Sequence, residues 1–234
     1  MKSIAIMQPT FLPWVGYFDM ITRVDEFVFL DCVNFNKRSW QQRNRINTAN
    51  GVKMLTVSVR SKGAQNKQIS DIEIAWDTGF AHKHLNTIKQ SYGKAPHFDS
   101  VFPILENAYH NEPTYLSDLN IDLIEKINNY LDIETPLVRS TLLKPVGNKA
   151  FLLANLCQQL NADIYLSAPG SKEYIQKENP FSDYGISLQY HHYEPSSYPQ
   201  IHSSFLSHLS IIDLMMNCSV SKCSEIMKSG RQSS

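Results

Sequence analysis

No apolar run in this 234-residue chain approaches the roughly 18–20 residues needed to cross a bilayer. Met1-Lys2 leads into an apolar segment of five residues, too short for the core of a secretory signal. The chain has four cysteines, Cys32, Cys157, Cys218 and Cys223, with no C-x-x-C pair and no zinc-site spacing. They are expected to be free, buried thiols in a reducing compartment, and the protein to be cytoplasmic. His82 and His84 stand two apart on a helical segment, and His191 and His192 are adjacent on a strand segment, so each pair splits between faces. No metal site is therefore expected. H-E-x-x-H, Walker A, G-x-S-x-G and G-x-G-x-x-G are all missing, as are internal repeats and low-complexity stretches.

One further absence is local. No Asp or Glu occurs between Asp31 and Asp71, whereas Lys37, Arg38, Arg43, Arg45, Lys53, Arg60, Lys62 and Lys67 all do. The chain as a whole is neutral, with 22 basic and 22 acidic residues. This segment is thus a basic patch on a mildly acidic body. Such a field attracts phosphate or carboxylate groups, or is simply a solvated hairpin face.

What the chain does contain is enough apolar surface for a core, at 42%. Ser3–Met7 reads as a buried strand, the stretch from Tyr17 to Arg23 as a helix and Glu26–Asp31 as a second strand. That βαβ unit predicts parallel pairing and a right-handed crossover. Val52–Arg60 alternates as a strand, and Ile69–Trp76 is a further strand candidate. Gly79–Tyr92, ending at Gly93 as the residue after the helix, then Phe98–His110 and Pro113–Leu131 read as helices. Thr135–Leu142, Asp163–Ser167 and Ile186–Tyr193 read as strands, and Asn148–Leu160 and Phe205–Asn217 as helices. The expected fold is a Rossmann-like α/β domain over residues 1–226. Its mainly parallel sheet is flanked by helices, with a helical insertion at about 79–131 and a frayed tail over 227–234.

The first strand runs straight into Gln8-Pro9-Thr10-Phe11-Leu12-Pro13-Trp14-Val15-Gly16-Tyr17-Phe18. Pro9 and Pro13 stiffen this turn, and Gly16 permits close approach of a neighbour or ligand. Ligands of open α/β sheets bind outside the carboxyl ends of strands, so this turn is the first site candidate. Gln8 can read a base, ribose or carboxyl group, and Trp14 and Tyr17 can stack on a planar ring, or else staple the first helix to the sheet. The second candidate is Asn34–Arg45 at the end of the second strand. There Arg43 and Arg45 would share one face if this stretch is a strand, and Asn34, Lys37 and Trp40 suit a phosphate-bearing ligand. The third is Tyr165–Tyr174, where Ser167, Gly170, Ser171 and Tyr174 follow a strand in a turn able to present N–H groups to an anion. His84 is a further candidate donor. Asp31 either holds Mg²⁺ or ends a strand. Gln8, Tyr17, Arg43 and His84 are the candidate catalytic groups. Pro9, Trp14, Gly16, Asn34, Lys37, Trp40, Arg45, Ser167, Gly170, Ser171 and Tyr174 are the candidate binding groups.

Met7-Gln8-Pro9-x-Phe11-x-Pro13-Trp14-x-Gly16-Tyr17-Phe18 resembles the opening of the WbqC-like family of bacterial proteins. So do Trp40…Arg43-Asn44-Arg45-Ile46, Tyr92-Gly93-Lys94-Ala95-Pro96, Gly147-x-Lys149, Tyr165-Leu166-Ser167-x-x-Gly170 and Leu209-Ser210-Ile211-Ile212-Asp213. The resemblance implies a role in bacterial surface polysaccharide (O-antigen) biosynthesis. For some members it implies transfer of glycine or another acyl group to a nucleotide-linked amino sugar. A looser likeness is to the nucleotidylyltransferase superfamily, including pantothenate synthetase, in which an H-x-G-H motif holds ATP phosphates. Here Trp14-Val15-Gly16-Tyr17 keeps the glycine and lacks both histidines. The residues specify no cofactor; ATP with Mg²⁺ is what that likeness would bring. Two alternatives stand beside the transferase: a non-catalytic module binding a nucleotide sugar or a partner enzyme, and a protein that uses aminoacyl-tRNA as donor.

Overall fold

The computed structural model describes residues 1–60, 63–172, 175, 179–202 and 204–232. Five short strands form one wholly parallel sheet: β1 (Ser3–Met7), β2 (Glu26–Phe29), β5 (Leu137–Arg139), β6 (Ile164–Ser167) and β7 (Ser187–Tyr190). Their spatial order is β5-β2-β1-β6-β7, with Ile4 facing Glu26 on one side and Tyr165 on the other. The chain moves outward from β1 through β2 to β5, then returns to the far side of β1 for β6 and β7. This reversal makes the gap between β1 and β6 the switch point of the sheet. β3 (Arg43–Thr48) and β4 (Gly51–Thr56) form a separate antiparallel hairpin, in which Arg45 faces Met54.

Strand alternation divides the core into two layers. Ala5, Phe27 and Phe29 face a large cluster with α1 (Val15–Thr22), α2 (Phe80–Tyr92), α3 (Phe98–His110), α4 (Leu116–Tyr130), α7 (Ile211–Asn217) and α8 (Val220–Ser229). Ile4, Ile6 and Val28 face the opposite way, onto α6 (Lys149–Gln159), Phe181 and Ile186. α5 (Ser140–Leu143) is a single turn leaving β5. The fold is thus α/β and Rossmann-like, with helices on both faces, and α2–α4 lie between β4 and β5 as the helical spacing predicts. No helix among the described residues is long and apolar enough to cross a membrane.

Several local expectations change. Ile69–Trp76 is not a strand: Ile69–Asp71 and Trp76–Thr78 are tight 3₁₀ turns, and two isolated bridges join Ile74 to Val59 and Glu73 to Tyr115. Ile69, Ile72 and Ile74 are buried in the core, and the Leu116 N–H donates to the Ile72 carbonyl at the start of α4. Gly93 caps α2 with ordinary right-handed geometry; glycine is needed because a Cβ would lie 2.6 Å from the Lys89 carbonyl oxygen. The last helices also move. Ser210 caps α7, so residues 205–209 stay irregular, and α8 extends to Ser229 where a frayed tail is expected. Beyond it, Arg231 Nε donates to buried Asp19 at 2.7 Å, and the His191 ring contacts the other oxygen of Asp19 at 2.9 Å.

The irregular strap of residues 194–202 and 204–210 hangs on one buried carboxylate. Asp213 accepts from the Tyr92 hydroxyl (2.6 Å), the Tyr198 hydroxyl (2.9 Å) and Gln200 Nε2 (2.8 Å). Burial raises its pKa despite these donors. The strap is also held by Asn47 Nδ2 to the His202 carbonyl and by the Ser210 N–H to the Arg45 carbonyl. Replacing Asp213 by Ala takes the acceptor from the buried Tyr92 hydroxyl and the partly buried Tyr198 hydroxyl, while Gln200 Nε2 keeps the Leu206 carbonyl. The expected loss is roughly 3 kcal/mol of stability, read from the urea midpoint; an unchanged midpoint would show that the strap does not depend on this hub.

A candidate two-lobed site at the switch point

The turn after β1 is built from groups that cannot satisfy one another. Pro9 and Pro13 bring carbonyls and no N–H, and Leu12 takes a left-handed φ of 43°. Buried amide side chains supply the missing donors. Asn120 Nδ2, from α4, donates to the Pro9 carbonyl at 3.0 Å. Asn44 Nδ2, from β3, donates to the Phe11 and Leu12 carbonyls at 3.2 and 2.8 Å. The Tyr17 hydroxyl donates to the Gln8 carbonyl at 3.1 Å, and the Phe11 N–H to the Trp40 carbonyl at 2.9 Å. Each amide NH₂ offers two hydrogens, which is why Asn rather than Ser serves a turn short of donors.

Around this rigid turn lies a cleft of two lobes at the carboxyl ends of β1, β2 and β6. The larger, about 360 Å³, is walled by Ile6, Leu30, Leu153, Tyr165 and Ala168, with Gln8, Ser39, Gln41, Gly170 and Ser171 at its polar side. The smaller, about 240 Å³, is lined by Pro13, Trp14, Tyr17, Asn44, Arg45 and His208. Met7, Thr10 and Trp40 border both lobes and join them.

At that junction the Arg45 guanidinium carbon lies 5.6 Å from the centre of the Trp40 ring. Arg45 Nη2 donates to the His208 carbonyl at 2.9 Å, while its Nε is buried with no partner among the described residues. Trp14 stacks on the His208 ring, 5.0 Å between centres, with the Tyr193 ring edge-on to it at 5.5 Å. Gly16 makes this pose possible, since a Cβ there would sit 2.5 Å from the Trp14 ring. Tyr17 is buried, and burial drives its phenol pKa well upward, so it stays a neutral donor.

The structure gathers Gln8, Trp14, Tyr17, Trp40, Arg45, Gly170 and Ser171 at the cleft, with Gly16 beneath Trp14 and Pro9 buried behind the turn. It does not bring the others there. Arg43 is half-buried on β3 and lines neither lobe; Asn34 and Lys37 are exposed away from it. Ser167 is fully buried and its hydroxyl pairs with that of Ser171. Tyr174 lies outside the described residues, as does Lys62 of the basic segment. Asp31 lies two residues beyond β2, with its oxygens occupied by Arg139 Nε (2.7 Å), the Ser140 hydroxyl (2.9 Å) and the Thr141 N–H (3.0 Å) and hydroxyl. Thr10, Ser39, Gln41, Asn44 and His208 line the cleft without having been singled out from the sequence. For Gln41 and Asn44 the signal was their place in the Asn34–Arg45 stretch. For His208 it was only adjacency to the Leu209–Asp213 motif.

His84 sits elsewhere, tying β4 to α3. The Thr56 N–H donates to Nε2 at 3.0 Å, so the ring proton is on Nδ1 and donates to the Tyr109 hydroxyl at 2.9 Å. Burial brings its pKa down to about 4, with Lys53 adding to the effect. The unfolded chain binds this proton below pH 6.5 and the folded chain only near pH 4. Stability is therefore complete above pH 6.5 and falls as pH drops toward 4, by about 3 kcal/mol for this group. Denaturant midpoints measured across that range should slope less steeply in His84→Gln; an identical slope would mean the ring titrates normally.

A parallel sheet of this order, with a cleft at its switch point, defines a Rossmann-like α/β protein. More particularly, the chain belongs to the WbqC-like protein family, whose model matches residues 8–225. Among curated proteins, the uncharacterized protein Rv1507c of Mycobacterium tuberculosis (strain H37Rv) is 37% identical over 219 residues, covering 93% of this chain and 94% of that one. No solved structure matches the chain.

Proposed function

We propose that this protein is a transferase of bacterial surface polysaccharide biosynthesis. It places glycine or another acyl group on the amine of a nucleotide-linked amino sugar. The observation that carries the reading is the joined pair of lobes, with the Arg45 guanidinium over Trp40 at their junction. The apolar walls and amide edge of the larger lobe suit a nucleoside. Arg45 suits the phosphates, as a planar fork of donors. The smaller lobe then takes the amino sugar beside His208.

In the transfer, the sugar amine attacks the carbonyl carbon of an acyl group activated through oxygen, as in a charged tRNA or an acyl-adenylate. The C–N bond forms and the bond from that carbon to the leaving oxygen breaks. His208 takes the amine proton and returns it to the leaving oxygen. The remaining contribution is positional: two substrates are held against one rigid turn. A second reading, a module that binds the nucleotide sugar without turnover, draws on the neutrality of Gln8 and of the buried Tyr17 phenol.

Calorimetric titration with UDP- or dTDP-linked amino sugars tests the site. Arg45→Ala should weaken binding by about ten- to a hundredfold. His208→Ala should keep binding and lower kcat of acyl transfer by about a hundredfold or more. Binding with no transfer from either activated donor would select the binding module, and the absence of binding would reject both readings.

A further inference from the structure

The polar side of the larger lobe has a hydrogen-bond polarity that is fixed from one backbone group. The Asn36 N–H, which can only donate, meets the Gln41 side chain at 2.8 Å, so the atom facing it is the Oε1 of Gln41. Gln41 is nearly fully buried, and its other terminus is therefore the NH₂ that faces Gln8. That NH₂ donates to Gln8 Oε1 at 2.8 Å. The remaining terminus of Gln8 is then its own NH₂, on the wall of the lobe and without a protein partner among the described residues. Amide ends are easily interchanged in isolation, but here each link of the chain forces the next. Two hydroxyls on this side spend their hydrogens elsewhere and so do not donate to Gln8: Ser39 donates to the Asn36 carbonyl and Ser171 to the Ala168 carbonyl.

We infer that Gln8 presents two donor hydrogens to the ligand and that Gln41 is the positioning residue that holds it that way. The group recognised at the end of β1 thus carries acceptor oxygens. On the reading of the larger lobe as a nucleoside site, on which this inference rests, the matching group is the carbonyl edge of a uracil or thymine ring; phosphate oxygens offer the same chemistry. A cytosine amino group at that point would bring donor against donor, which a built hydrogen-bonding site rejects strongly.

UDP, CDP and pyrophosphate, titrated into the full chain, separate these sources. UDP and CDP share ribose, phosphates and the C2 carbonyl, and differ at position 4, carbonyl against amino, and at N3. A preference of about tenfold for UDP is expected, collapsing toward unity in Gln41→Met, where Gln8 is free to turn. Gln8→Glu keeps the contact with Gln41 and puts an acceptor in place of the donor, so UDP should weaken by about tenfold or more. Equal binding of UDP and CDP, weakened alike in Gln8→Glu and competed by pyrophosphate, would support the donor edge with phosphate as its ligand. UDP binding unchanged in both variants would overturn the inference. Binding of none of the three would reject the nucleoside site and the ligand named here. The relay itself is read without ligand, as a scalar coupling across the hydrogen bond between the Asn36 amide nitrogen and the Gln41 side-chain carbonyl carbon. Absence of that coupling in the folded wild-type protein would overturn the relay.

Discussion

The carbonyl oxygens of the turn after β1 must find donors in a place that water does not reach, and the surrounding structure is arranged to provide them. Two prolines remove N–H groups from the turn, and burying unpaired carbonyls is costly. The donors come from three separate elements: Asn44 from the β3–β4 hairpin, Asn120 from α4 and Tyr17 from α1. One need for hydrogen bonds therefore fixes the hairpin, the helical insertion and the first helix against the same short segment. Asn120 also donates to the Gln41 carbonyl at 2.8 Å, so the stretch carrying Trp40 and Gln41 is held by the same side chain. The floor of the cleft is thus hydrogen-bonded to three separate elements of the fold.

The parallel sheet supplies direction. With β1 central and both neighbours parallel, three strand ends open toward one edge, and the reversal of strand order leaves room between β1 and β6. The strap anchored on Asp213 closes the smaller lobe from the other side and carries His208 to the face of Trp14. Neither lobe is made by one segment. The larger needs the turn, the Ser39–Gln41 stretch, α6 and the residues after β6; the smaller needs the turn, β3 and the strap.

Much of this was legible in the sequence where local chemistry and position coincide. A proline- and aromatic-rich turn directly after a central apolar strand points to the cleft, whereas the strand over Arg43–Thr48 was open from the sequence and is decided by its pairing with β4. Alternation does not say which of the two arginines reaches the cleft; the packing of Arg45 on Trp40 decides that. His84 reads as a free donor in isolation, yet it stands four residues from both Phe80 and Ile88 in the buried stripe of α2. Ile69–Trp76 has strand-like residues but no neighbouring ladder to join. His208 lies in irregular backbone whose path is set by Asp213, and no periodicity reports such a contact.

Asp19 meets Arg231 across 212 residues of chain, and the same carboxylate binds His191. Asp19 lies in α1, the helix that leads out of the cleft-forming turn. β1, likewise, pairs with β6 across a long stretch of chain, Ser3 with Ile164. On the ribosome, the first helix therefore emerges long before the cation that neutralises its buried carboxylate. The Arg231 partner of Asp19 is thus made 212 residues after the helix it holds, so this contact forms after α1, the turn and the sheet strands have all been synthesised.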